Sequence, residues 1–304
     1  PYDYSTREID SSFRTTGAYF FSSGRYKNTA FYMLFNFVQQ PFYVYPYSGV
    51  DHACPVLDLY FEIQPLQKYK KYLTVRVGQF LLPFGRQQRT PVPSEVTAHR
   101  YSQISRALFD NGYSFRDVGV MVYGGYDKLP LGFKLKYWGF ATNGERMGTY
   151  QDTNDRKALG VRAELLPPSK WFEKLGIRKV TVGWAIGNLG PRTPHSGPED
   201  AEYFERERTS FDVSVRAKKI SVLFEYMVGV DDLRYSNPMG GGSYVATTEY
   251  NRRIEGAYLE VGYWVKVMKV DPAQIPVAWL KKRPLGLQVV AFWDVLNRGA
   301  NLHM

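Results

Sequence analysis

The 304-residue chain carries 39 Lys and Arg against 29 Asp and Glu, a formal net charge of +10, with 44% hydrophobic residues and a mean hydropathy of -0.36. No apolar run approaches the roughly 18 to 20 residues of a membrane-spanning helix, which excludes that class, and the single cysteine, Cys54, excludes an intramolecular disulfide. The basic balance would point to nucleic acid only if it were gathered on one face, whereas 24 Tyr and 19 Phe fit many strands with aromatics at an apolar boundary.

Period-two alternation, the signature of a strand with two unlike faces, marks about twelve strands. They fall at 12–22, 28–39, 55–66, 71–81, 116–125, 130–141, 157–166, 177–187, 207–217, 219–229, 254–265 and 285–296. One face of each is apolar, as in Leu57, Leu59, Phe61 and Ile63, in Leu131, Phe133, Leu135 and Tyr137, or in Leu287, Val289, Ala291 and Trp293. The opposite face carries Asp58, Glu62, Arg76, Lys134, Lys136, Arg162, Glu164, Lys179, Asp212, Arg216, Glu225, Glu260 and Asp294. Alternation alone also suits a soluble β-sandwich binding protein, in which the apolar faces would make a core.

The connections favour a transmembrane barrel. Short turns follow the first, third, fifth, seventh and ninth strands, beginning with Ser22–Lys27, and long loops at 40–54, 82–115, 142–156, 188–206 and 230–253 follow the others. Strict alternation of this kind is the up-and-down pattern of outer-membrane barrels, with tight periplasmic turns at one rim; only 266–284 is longer than the scheme expects. By the parity of its loops the chain is expected to be one barrel domain, 1–304, truncated at both ends.

Val77-Gly78-Gln79-Phe80-Leu81-Leu82-Pro83-Phe84-Gly85, followed by a long loop and Phe115-Arg116-Asp117-Val118-Gly119-Val120, resembles the phosphate-selective porin O and P family. Leu57-Asp58-Leu59-Tyr60, Ala141-Thr142-Asn143-Gly144 with Lys157–Arg162, and Ala291-Phe292-Trp293-Asp294 extend the resemblance over roughly 12–296. It implies a sixteen-stranded, homotrimeric porin of the bacterial outer membrane, with the loop 82–115 folded inward as a constriction.

On that reading the loop arginines Arg86, Arg89, Arg100 and Arg106 are candidate anion contacts, since a guanidinium stays charged and offers a planar fork to phosphate or carboxylate. Arg116, beside Asp117 at the strand entrance, is the structural member. The wall is expected to expose Arg76, Lys134, Lys136, Arg162, Lys179 and Arg216 to the pore, nearly cancelled by the carboxylates above. The expected activity is passive diffusion of small hydrophilic solutes with an anion bias. The expected partners are those solutes, outer-membrane lipid and two further copies, with no nucleic acid, cofactor or metal. The alternative, a barrel enzyme, rests on His99 near Ser102 and Ser105. The four histidines all fall in predicted loops and lack zinc-motif spacing. Glu205-Arg206-Glu207-Arg208 is expected to extend a strand above the membrane, laced by cross-strand ion pairs.

Overall fold

The computed structural model describes residues 19–36, 56–65, 71–86, 102–108, 116–144, 156–190, 201–239, 243–266 and 286–298. Twelve strands form one antiparallel sheet, each bonded to its neighbours in sequence. They are β1 (Tyr19–Tyr26), β2 (Thr29–Asn36), β3 (Val56–Ile63), β4 (Thr74–Leu81), β5 (Arg116–Tyr126), β6 (Lys134–Thr142), β7 (Ala158–Leu166), β8 (Ile177–Asn188), β9 (Ala201–Ala217), β10 (Ile220–Met239), β11 (Ser243–Lys266) and β12 (Gly286–Arg298). A six-residue helix, α1 (Gln103–Leu108), lies between β4 and β5. Among the described residues β1 pairs only with β2 and β12 only with β11, so the sheet is open.

Its polarity is the reverse of a soluble protein's. Phe61 is 61% exposed and Trp293 57%, and Leu59, Val118, Val120, Leu159, Val161, Trp184, Ile186, Phe211, Val261 and Val295 are exposed on the same outer face. The inner face buries Asp58, Arg162, Glu164, Asp212, Glu225 and Glu260. Register explains the segregation. Asp212 stands opposite Gly183 and Glu225, and Phe211 opposite Trp184 and Tyr226, so the period-two pattern stays in phase from strand to strand.

The sheet is strongly curved. The backbone N–H of Gly85 donates to Ser210 Oγ on β9 at 3.2 Å, four residues after β4 ends at Leu81. Four residues span at most about 14 Å, whereas five strand spacings in a flat sheet measure roughly 24 Å. Only a sheet curled around residues 82–86, here called the strap, lets it reach.

The structure moves several predicted boundaries. The first hairpin turns at Lys27-Asn28 instead of Ser22–Lys27: Lys27 takes φ 51°, as a two-residue hairpin demands. Gly24, read as a turn signal, is paired in mid-strand under the Phe31 ring, which a Cβ there would strike. Pro130–Gly132 form a 3-10 turn rather than the start of β6, with Leu131 at φ 59°. The loop expected at 230–253 is largely taken up by β10 and β11, which run 20 and 24 residues, and β9, of 17 residues, begins within the loop expected at 188–206.

Candidate functional site

The inner face is organised around the strap and α1. Gly85 sits at φ +59°, a conformation that favours glycine, and a Cβ there would press on Met227 Cε of β10. The next backbone N–H, of Arg86, donates to Glu225 Oε1. Phe84 meets Phe140 of β6 edge-on at 5.8 Å between ring centroids. These rings join Phe80, Leu82, Ile104, Leu108, Met121, Met227 and Ile254 in one apolar cluster.

At its N-terminus α1 is capped by Ser102, whose Oγ accepts from the N–H of Ser105, the N3 position, at 3.2 Å. The N–H of Gln103 donates to Asp294 of β12. Gly229 and Gly256 make room for the helix, since Cβ atoms there would meet Leu108 and Ile104. Ser102 and Ser105 are therefore buried and bonded to each other, at 2.8 Å, as parts of the cap. His99, the proposed partner of an enzymatic serine, lies outside the described residues.

Two ion-pair networks line the wall. On β3–β5, Arg116 grips Asp58 with both arms, Nε to Oδ1 at 3.0 Å and Nη2 to Oδ2 at 3.3 Å. Arg76 bonds Glu62 at 2.7 Å and stacks over Tyr60 at 4.0 Å, and the Tyr123 hydroxyl donates to the same Glu62 oxygen at 2.7 Å. On β7–β10, Arg162 contacts Glu164 at 2.9 Å and reaches across Gly183 to Asp212 at 2.6 Å. A side chain at Gly183 would occupy that path. Arg162 Nε and Nη1 and both Asp212 oxygens lack aligned hydrogen bonds, so the contact with Asp212 is a close ion pair rather than a bidentate clasp. Arg86 completes the group, 3.6 Å from Glu164.

Two of the expected wall cations, Arg76 and Arg162, and the loop's expected anion contact Arg86 are thus engaged by carboxylates. Lys134, Lys136, Lys179 and Arg216 lie on the same face nearer the odd-to-even turns. Lys179 stands directly opposite Arg216, and Arg86, Lys136 and Arg216 all repel its charge. Like charges across a strand pair are unfavourable, and among the described residues no ion pair relieves Lys134, Lys136 or Lys179. Arg89 and Arg100 lie outside the described residues. Arg106 is in α1, its side chain outside the described set.

Above the wall, Arg206 donates to the carbonyl oxygens of Gly144, Leu189 and Gly190 at 2.6 to 2.9 Å. Arg208 pairs with Asp231 of β10 and Glu205 with Arg156. The expected lacing of this extension by ion pairs is present, and Arg206 adds a clasp on loop carbonyls that the sequence pattern did not indicate. The apolar seat of the strap was also missed; its one sequence signal is that Phe80-Leu82-Phe84 continues the β4 alternation past the strand's end. Among the described residues no group of three His, Cys, Asp or Glu could hold a metal ion.

No protein-family model, no curated protein and no solved structure matches this chain.

Proposed function

We propose that this chain forms the wall of an outer-membrane β-barrel that passes small hydrophilic solutes by diffusion, through an interior narrowed by the strap and α1, with a bias towards anions. The carrying observation is the inverted polarity: a continuous exposed apolar face on a curved sheet whose concave side buries charge. Such a face is stable against lipid and costly in water. The similarity of Val77–Gly85 and Phe115–Val120 to the phosphate-selective porin family belongs to the same reading, as do a sixteen-stranded complete barrel and a homotrimer.

The bias is assigned to Lys134, Lys136 and Lys179, because Arg76, Arg116 and Arg162 are held by carboxylates. Fixed cations beside a narrow passage raise the local anion concentration. Reversal potential in a planar bilayer under a potassium chloride gradient tests this. An anion-selective potential, with chloride current reduced on adding phosphate, is expected. Cation selectivity would refute the bias, and absence of conductance would refute the pore.

A further inference from the structure

The net charge of the chain is not spread over the sheet. Antiparallel order puts the strand ends that flank the six odd-to-even connections, 27–28, 64–73, 127–133, 167–176, 218–219 and 267–285, at one end of the sheet. Their sequences hold thirteen Lys and Arg against Asp127, Glu173 and Asp271, a net of +10, so the 26 basic and 26 acidic residues elsewhere cancel. Of these, Lys27, Lys71, Lys128, Lys170, Lys174, Lys218 and Lys219 are among the described residues, against Asp127 and Glu173, so the described rim alone is strongly basic.

The described side chains there have a mixed character. Lys27 lies over the Tyr26 ring at 5.2 Å, Lys71 over Tyr72 at 4.9 Å and Lys219 over Tyr263 at 6.0 Å. Lys71 also reaches Asp127 at 3.5 Å. Between these pairs Leu131 is 78% and Leu175 72% exposed at turn tips, and Trp171, exposed as well, packs edge-on against Phe133 at 5.1 Å. Exposed leucines at the tips of water-facing turns are unfavourable. Next to tyrosines, a tryptophan and lysines they suit the boundary between acyl chains and headgroups.

We infer that this rim is a binding surface for anionic phospholipid headgroups, with rings and leucines at the acyl boundary and lysine ammonium groups against lipid phosphates. The inference rests on the membrane reading proposed above. The charge accounts for the choice of lipid: juxtamembrane lysines gain from an anionic surface and gain nothing from a zwitterionic one.

The test reconstitutes the full-length protein in phosphatidylcholine vesicles containing spin-labelled phosphatidylglycerol or spin-labelled phosphatidylcholine and compares the lipid immobilised at the protein surface. The expected result is about a fivefold preference for phosphatidylglycerol at low salt, falling towards equality in 0.5 M salt (about a 4 Å screening length). The same fall is expected when Lys27, Lys128, Lys170, Lys174 and Lys219 are all changed to Gln, with conductance confirming that the variant inserts. Equal association of both lipids with the unmodified protein would overturn the inference while leaving the barrel intact. A preference that survives the five substitutions would also overturn it. Failure of the protein to insert into any vesicle would overturn the membrane reading and this inference together.

Discussion

Replacing Arg162 by Ala should destabilise the protein far more than replacing its partner Asp212 by Asn. Arg162 is fully buried between two carboxylates, at 2.9 and 2.6 Å. Asp212 in turn stands directly opposite Glu225, another fully buried carboxylate. The attraction at 2.6 Å is roughly 6 kcal/mol at an effective dielectric of about 20, much of it offset by desolvation. Removing one member of a buried pair typically costs about 3–5 kcal/mol because the other is stranded. Without Arg162, the buried carboxylates Asp212 and Glu225 stand opposite each other with that countercharge gone, so the upper end of that range is expected. Neutralising Asp212 leaves Arg162 its contact with Glu164 and relieves the repulsion with Glu225, so about 1–2 kcal/mol is expected. Urea unfolding in vesicles, followed by tryptophan fluorescence, measures both, and the double variant should recover part of the Arg162 loss. A cost below about 1 kcal/mol for Arg162→Ala, the level of an exposed pair, or strict additivity in the double variant, would refute the reasoning.

Gly85→Ala places a Cβ against Met227 Cε at a positive φ, costing about 1–2 kcal/mol of backbone strain; the strap should loosen, and single-channel conductance should rise. Changing Lys136 and Lys179 to Gln should lower the anion-to-cation permeability ratio without changing conductance by more than about twofold, since neither lysine takes part in an ion pair among the described residues; an unchanged ratio would remove them from the selectivity argument. Gly229→Val should unseat α1 by striking Leu108, and a cysteine introduced at Ser105, buried in the native fold, should then react with a water-soluble thiol reagent.

The sheet was legible because one face of each strand is apolar and each register keeps that face in phase. Where both faces are polar, the signal fails. Asp231-Asp232 on β10 and Arg252-Arg253 on β11 break the alternation, so this extension reads as loop although Asp231 stands opposite Arg252 in the ladder. The first hairpin shows the opposite error: Ser-Ser-Gly carries turn chemistry, yet Gly24 is rescued in mid-strand by a ring across the pair. The insert after β4 could be recognised from its length alone, but its seat could not. Gly85 meets residues 125 and more positions away in sequence, and that meeting depends on curvature, which belongs to the whole sheet and to no segment of it.

Charge shows the same division between what a sequence sums and what a fold separates. A pI near 9.4 invites the idea of an anion-attracting interior. Yet outside the six odd-to-even connections the chain is neutral, and the wall's arginines are largely spent on neighbouring carboxylates. Any anion bias must therefore come from position rather than quantity. The wall lysines Lys134, Lys136 and Lys179, which take part in no ion pair among the described residues, lie towards the basic rim, while the carboxylates Glu164, Asp212, Glu225 and Asp294 gather around the strap and α1. On the proposed porin reading, an anion moving along this wall meets its attractive field at one end and the self-neutralised section around the strap and α1 beyond it. On that same reading, this order favours a low-affinity path over a tight binding site at the strap.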